Sequence, residues 1–242
     1  MTPPLFLLDP LPDGDVVVLG GPEGRHAARV RRIGVGEVLD VSDGRGAVAR
    51  CAVSSVGDDA LVLRVLARRI VTPPEPRIVV VQALAKGNRG ELAVELLTEV
   101  GVDVIVPWAA SRSVTKWEGA RGERSRERWR STAREAAKQC RRPVLPDVTS
   151  LHTTAQVASL ITQTTSLVLH EAASAPLAAV TLPHPGDLVL VVGPEGGISE
   201  AELATFTAAG ATPVRLGPEV LRTSTAGVAA VAALSVALER WT

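Results

Sequence analysis

Two glycine-rich stretches near the end of the chain hold the residues best suited to chemistry. The first, Gly193-Pro-Glu-Gly-Gly197, follows five apolar residues, Leu188 to Val192, and precedes Ser199 and Glu202. The second, Leu216-Gly-Pro218, follows Val214 and runs on through Val220, Leu221, Arg222 and Thr223. Glycine admits positive φ and lets a backbone come close to a ligand. Each stretch therefore reads as a buried strand, a bare-backbone turn and a helix. Two such turns at the carboxyl ends of neighbouring strands make a crevice, the usual ligand position in an open α/β sheet. The chain has no G-x-x-x-x-G-K-[ST], and no G-x-G-x-x-G opens a helix, so a nucleoside triphosphate and a dinucleotide are set aside. Glu195 also repels phosphate. A cationic or zwitterionic ligand with an apolar adenosine part fits such a pocket better.

Other polar residues sit at strand ends. His170-Glu171 closes the predicted strand Ser166–Leu169, and Arg112 follows the predicted strand Asp103–Pro107. A lone histidine at a strand end is more often structural than catalytic, and a loop arginine is often plain surface. The neighbouring glycine turns raise the interest of both. Cys51 and Cys140 stand far apart with no partners at ligand spacing, so neither a disulfide framework nor a metal site is expected. His152 and His184 have no recognisable partners in the sequence.

The elements that must position these residues follow from periodicity. At 242 residues the chain exceeds a typical domain of roughly 100–200 residues, which favours two domains. Residues 1–72 hold short segments, Val16–Leu19, Val38–Val41, Ala47–Val53 and Ala60–Val65, between glycine- and aspartate-rich turns, the spacing of a small β-barrel. Thr72-Pro-Pro-Glu-Pro76 is the natural boundary, leaving 73–242 as the second domain. There Ile78–Leu84, a helix opened by Asn88 and Glu91 as a capping box, and Asp103–Pro107 give a β-α-β order and hence a parallel sheet. Ser199 and Glu202 form a second capping box, with a helix from about residue 200 to near Gly210. Thr223 or Ser224 is placed to cap a long C-terminal helix.

Charge balances at 26 against 26, which argues against a globally basic nucleic-acid binder. Its distribution is uneven: residues 112–142 carry nine Arg and two Lys against four Glu, whereas residues 143–242 carry three Arg against eight acids. Within the helix expected over 117–142, Trp129, Ala133, Ala136 and Cys140 share the core face. Arg25, Arg29 and Arg32 fall on one face of a helical stretch at 23–33. The opening residues lack a basic n-region and are broken by proline, so no signal peptide is read; the two unpaired cysteines make a reducing cytoplasm the expected location. The apolar run Ala226 to Leu238 is too short to span a bilayer. Because that run is apolar all round, it must be buried on more than one side, which predicts a homodimer.

Leu-Val-Val-Gly-Pro-Glu-Gly-Gly at 190–197, Leu-Gly-Pro at 216–218 and Leu-Arg-Thr at 221–223 resemble the cofactor loops of the RsmE family of 16S ribosomal RNA uridine-N3 methyltransferases. That resemblance implies a SPOUT α/β domain tied in a deep trefoil knot, a PUA-like RNA-binding barrel before it, and S-adenosyl-L-methionine as cofactor. Knots are too rare for sequence physics to propose one. The resemblance places Leu169, His170, Glu171, Gly193, Pro194, Glu195, Gly196, Gly197, Leu216, Gly217, Val220, Leu221, Arg222, Thr223, Thr225 and Ala226 at the cofactor. It places His26, Arg29, Arg32 and Arg142 at the RNA, where Arg25 joins them by its spacing on the same stretch, with 16S rRNA of the small ribosomal subunit as partner and no metal. Methylating uridine N3 needs removal of a proton and stabilisation of an anion. Arg112 and Arg222 suit the anion, and Glu171 or Glu195 the proton; the residues do not choose between them. Glu219 and Ser224 depart from the family pattern, which often has Arg and Glu there. Another RNA target within the same superfamily, or a non-catalytic RNA-binding assembly factor, remains an alternative.

Overall fold

The computed structural model describes residues 2–182 and 186–241. His184 lies outside them. Two compact units emerge: Met1–Pro73 with Ala137–Leu145, and Pro74–Ala136 with Pro146–Thr242.

In the first unit, β1 (Leu5–Leu7), β2 (Val16–Leu19), β3 (Val38–Ser42), β4 (Ala47–Val56) and β5 (Leu61–Ile70) form one sheet in the order β1-β3-β4-β5-β2. Strand β1 pairs in parallel with β3, while the other neighbours run antiparallel. Register shifts at Arg50/Cys51 and Val53/Ser55 mark bulges between β4 and β5, which bend and twist a sheet around its core. Phe6, Val17, Leu19, Leu39, Val41 and Leu63 fill that core. Three-residue β1 carries too little alternation to be read from sequence, and β5 runs five residues beyond the predicted Val65.

The helical stretch expected over 23–33 is shorter and irregular. Helix α1 (Gly21–Arg25) passes into a π-helical turn at His26–Val30. Arg32 lies beyond it at φ +52°, so the three arginines do not share one helical face. The segment 137–145 is fastened to this unit by Lys138 Nζ to Glu23 Oε1 at 2.8 Å and by the Ser42 hydroxyl donating to Pro143 O at 2.8 Å.

The second unit contains β6 (Ile78–Ala83), α2 (Arg89–Glu99), β7 (Val104–Trp108), α3 (Gly119–Gln139), whose last turn counts with the first unit, β8 (Asp147–Val148) and α4 (Thr154–Ile161). It continues through β9 (Thr165–Leu169), β10 (Leu188–Val192), α5 (Glu200–Ala208), β11 (Thr212–Val214) and α6 (Thr223–Ala237). The six strands pair in parallel throughout, in the order β11-β9-β10-β6-β7-β8. Alternate residues of β6 and β10 enter separate apolar clusters, with Val80 and Leu190 in one and Val81 and Val191 in the other. A strand covered on both faces must be apolar throughout, which is why Leu188–Val192 reads as an unbroken run.

Four local expectations are corrected. Asn88 precedes α2 but its side chain makes no cap bond; Glu91 instead accepts from Arg128 at 3.3 Å. Cys140 lies past the end of α3 and is exposed, while Trp129, Ala133 and Ala136 are buried as expected. Arg222, not Thr223 or Ser224, is the residue before α6, and it gives no side-chain cap. His152 is not without partners: its ring Nδ1 lies 2.9 Å from Ser150 O and its backbone bridges Pro107 and Ala109.

Candidate active site

A cleft of about 860 Å3 opens at the carboxyl ends of β9, β10 and β11. Its walls take Leu169, His170 and Glu171 from the end of β9, Gly193, Pro194, Glu195, Gly196 and Gly197 from the turn after β10, and Leu216 through Thr223 with Ala226 from the second turn. Arg112 closes one side. Both glycine turns thus face one space, the arrangement a parallel sheet offers a ligand, but their strands are not the neighbours expected from the sequence: β9 lies between β10 and β11. Thr225 lies outside the lining; its hydroxyl donates to Arg222 O at 3.2 Å. Arg89, Ile198, Glu200 and Arg215 also line the cleft and were not singled out in the sequence, since nothing local marks them.

The first turn is shaped by three glycines for different reasons. Gly197 has φ +72°, a conformation other residues adopt at a cost, and its N–H donates to Pro194 O at 2.9 Å. A Cβ on Gly193 would sit 2.8 Å from Ile198 Cγ1, and one on Gly196 would sit 3.1 Å from Arg112 Cβ. Those two are glycines because neighbours crowd them. The buried Thr223 hydroxyl donates to Gly193 O at 2.7 Å and accepts from Gln82 Nε2 at 3.0 Å. Thr223, expected as a cap, therefore joins the start of α6 to the first turn.

Glu195 is held in place. Its Oε1 accepts from Lys86 N–H at 3.0 Å and from Arg89 Nη1 at 3.2 Å. Burial pushes its carboxyl up, but the backbone N–H groups of Glu195 and Lys86 and the Arg89 guanidinium outweigh that and hold it below the usual glutamate range. A carboxylate stabilised in its charged form is a weak base. Glu171 is exposed and also lines the cleft. His170 faces the main chain, with its Nδ1 accepting from Ala172 N–H at 3.3 Å.

Arg112 donates from Nη1 to Gly196 O at 3.1 Å, which leaves the rest of its guanidinium fork to other acceptors. Under that loop lies Glu202, only 5% exposed. It completes the expected capping box with Ser199 and also reaches Ser111 and Thr154. Sequence showed the box, because it spans three residues, and not the reach to Ser111, ninety-one positions away. Arg222 is exposed at the cleft edge.

In the first unit, Arg29 Nε lies 2.9 Å from Asp59 Oδ1 and donates to Asp58 O at 3.0 Å, with Arg25 3.8 Å from the same Asp59. All three side chains are more than half exposed, so these pairs are weak. His26 stacks at a tilt on Phe6, with centroids 6.2 Å apart. Arg32 is exposed and Arg142 half-buried. No group of metal-binding side chains occurs among the described residues, and none of their helices is long and apolar enough to cross a membrane.

Comparison with known proteins gives this geometry a context. Residues 73–235 match the family described as RNA methyltransferase domain, and residues 19–66 the one described as RNA methyltransferase PUA domain. Ribosomal RNA small subunit methyltransferase E of Mycobacterium bovis is 47% identical over 98% of this chain and 93% of its own length. A methyltransferase from Legionella pneumophila, solved with bound SAM, superposes with a TM-score of 0.87 at 27% identity, covering 98% of both chains. Ribosomal RNA small subunit methyltransferase E from Neisseria gonorrhoeae, bound to S-adenosyl methionine, gives a TM-score of 0.84 at 26% identity over 97% of this chain and 98% of that one.

Proposed function

Because the chain belongs to the family of ribosomal RNA small subunit methyltransferase E, we propose that it moves a methyl group from S-adenosyl-L-methionine to N3 of a uridine in 16S rRNA of the small ribosomal subunit. The observation that carries this reading is the cleft itself, where two glycine turns, from the parallel strands β10 and β11 on either side of β9, meet beside Arg112. Its chemistry fits the cofactor: bare backbone at Gly193, Gly196 and Gly197, apolar Leu169, Val192 and Leu216, and the carboxylates of Glu171, Glu200 and Glu219 to face a positive charge.

The bound cofactor supplies an electrophilic methyl group on a sulfonium. What remains for the protein is in-line alignment and exclusion of water. Uridine N3 must lose its proton as the new bond forms. Glu195 is engaged by Lys86 and Arg89, so Glu171 takes the role of base in this reading. Arg112, anchored at one N–H, stabilises the forming anion with the others, and Arg222 stands at the cleft edge as a second cation.

Three finer features belong to the same reading. The first unit engages RNA through Arg25, His26, Arg29, Arg32 and Arg142. The C-terminal chain is knotted in this reading, which the family resemblance implies and the return of residues 215–222 from edge strand β11 to α6, packed on α2, β6 and β10, supports. The protein works as a cytoplasmic homodimer. Support for the dimer comes from α6, where Val236 and Ala233 are exposed and Val228, Ala229 and Ala232 half-exposed on an apolar stripe. Light scattering should give about twice the 25.3 kDa chain mass, with Ala233→Glu shifting it to one chain.

Calorimetry with S-adenosyl-L-methionine tests the reading first, since a non-catalytic assembly factor would give no heat. Incubation with small subunits from a strain lacking the modification, followed by mass spectrometry of the nucleosides, tests it fully. The expected product is 3-methyluridine. A ribose-methylated nucleoside or a modified tRNA base instead would overturn the assignment of target.

A further inference from the structure

Glu202 makes more hydrogen bonds than its helix requires. In a capping box the third helical residue reaches back to one backbone N–H, and Glu202 does so, accepting from Ser199 N–H at 3.0 Å and Ser199 Oγ at 2.7 Å. Its carboxylate then accepts three more: Ser111 N–H at 2.7 Å, Ser111 Oγ at 2.9 Å and Thr154 Oγ1 at 3.3 Å. The Thr154 hydroxyl in turn lies 3.3 Å from the indole N–H of fully buried Trp108. Three elements are thereby joined at one carboxylate: the N-terminus of α5, the N-terminus of α4 and the loop that leaves β7. Burying a charge is costly unless hydrogen bonds compensate it. A cap alone gives no reason to bury this one at 5% exposure.

The loop leaving β7 carries Arg112. Ser111, gripped through both its N–H and its hydroxyl, precedes Arg112 directly, and Ser113 N–H closes a turn onto Ala110 O at 3.0 Å. Arg112 is thus set from two sides, by the Glu202 carboxylate through Ser111 and by Gly196 O at its guanidinium. We propose that Glu202 is a positioning residue for methyl transfer, fixing the loop that carries Arg112 so that its guanidinium points at the reacting base. This inference rests on the reading of Arg112 as a group that acts in the cleft.

Glu202→Gln is the informative change. The two carboxylate oxygens serve different main-chain donors, Oε1 taking Ser111 N–H and Oε2 taking Ser199 N–H. A glutamine has one acceptor oxygen, so one of these N–H groups meets an amide NH2 instead. Displacing a reacting group by about 1 Å can cost on the order of 10²-fold in rate. Glu202→Gln is expected to lower single-turnover methyl transfer by about that factor, while its S-adenosyl-L-methionine affinity by calorimetry stays within about twofold of wild type. Arg112→Ala is made alone and with Glu202→Gln. If Glu202 acts through Arg112, the double variant transfers no more slowly than Arg112→Ala. Should Glu202→Gln fail to fold, Ser111→Ala, which leaves the carboxylate and the capping box intact, enters the same cycle with the same expected non-additivity. Losses that multiply in the double variant overturn the inference alone. A wild-type rate in Arg112→Ala overturns both the reading of Arg112 and the inference built on it.

Discussion

The two glycine turns of the cleft resemble each other in sequence and differ in how they are held. The turn at 193–197 is bonded at almost every residue: Gly193 O to Thr223, Glu195 to Lys86 and Arg89, Gly196 O to Arg112 and Gly197 N–H to Pro194 O. Residues 216–221 of the other turn make no hydrogen bond among the described residues, and Pro218 to Arg222 are exposed, with Val220 at 75%. One wall of the cleft is preorganised, and the other is free to take its final shape around a ligand. Binding that orders a loop costs conformational entropy. The first turn therefore sets where the cofactor sits, and the second sets part of how tightly it is held.

The largest effect should come from forcing the rigid wall. Gly196→Val places a branched side chain where a Cβ already comes within 3.1 Å of Arg112 Cβ and 3.4 Å of Arg112 O. Neither of these atoms yields easily, since the Arg112 main chain is fixed from below through Ser111. Affinity for S-adenosyl-L-methionine should fall severely, because overpacking displaces the backbone that lines the cofactor and forcing extra carbons into a packed site costs about 1–3 kcal/mol, with the melting temperature changed little. A variant that binds normally would mean that the first turn is not the rigid wall.

Acid should loosen the same wall. Glu195 and Glu202 both have carboxyls held below the usual glutamate range: burial raises each, and hydrogen bonds to the charged form more than offset it. A carboxyl lowered in the folded state contributes stability above its unfolded value, near 4.3. That contribution is lost as pH falls through the folded value. Melting temperature should therefore drop as pH is lowered from about 5 towards 3. Glu195→Gln should cost at most roughly 1.5–3 kcal/mol at neutral pH, the range for a hydrogen bond to a charged group, and less to the extent that solvent screens this partly exposed pair, and should flatten the acid limb. An acid limb of unchanged slope would show that Glu195 is not what the first turn is tied by.

What the sequence disclosed and what it hid divide along the same line. Val16–Leu19, Leu188–Val192, the Ser199 capping box and the crevice between two turns all come from patterns within a few residues, and all are present. The turn at 193–197 could be seen to need glycine, but not that only Gly197 needs it for φ, because the crowding at Gly193 and Gly196 comes from folded neighbours. Thr223 looked like a cap and became a tie to Gly193, and Cys140 looked like core and is exposed, since its helix stops one residue short. Asn88 and Arg32 failed because the spacing was right and the backbone was not: Asn88, at φ −87° and ψ 5°, lacks the extended conformation that Ser199 has at its cap, and Arg32 lies beyond the helical turns at φ +52°. The apolar character of α6 was legible in advance, and the expected cover on a second side is what the proposed dimer would supply, since the structure leaves Ala233 and Val236 exposed.

A smaller effect separates φ from crowding within the first turn. Gly197→Ala adds a Cβ whose nearest neighbour is Arg112 Nη1 at 3.9 Å, so space is available and only the backbone conformation resists. Holding an L-residue left-handed costs roughly 1–2 kcal/mol. A denaturant melt should register a loss of that size, and calorimetry a modest weakening of cofactor binding. A loss as large as that of Gly196→Val would show that the turn cannot tolerate any Cβ, whatever its surroundings.

The smallest effect should have the opposite sign and belongs to the second turn. Gly217 has no positive φ, and a Cβ there would meet only Glu219 Oε2 at 3.8 Å, the far end of a flexible side chain. Alanine at such a position restricts the unfolded chain without straining the folded one and stabilises a protein by about 0.4–1 kcal/mol. In a segment that no hydrogen bond holds, the same restriction also acts before ligand binding, because fewer conformations remain to be lost when the cofactor arrives. Gly217→Ala should therefore raise the melting point slightly and tighten S-adenosyl-L-methionine binding by a factor of about two to five, which is that free energy expressed as an equilibrium constant. The tightening should appear as a less unfavourable binding entropy, with enthalpy little changed. Weaker binding in a fully folded Gly217→Ala protein would mean that the second turn is already fixed against the ligand at its glycine, and the contrast between a rigid and an adaptable wall would fall.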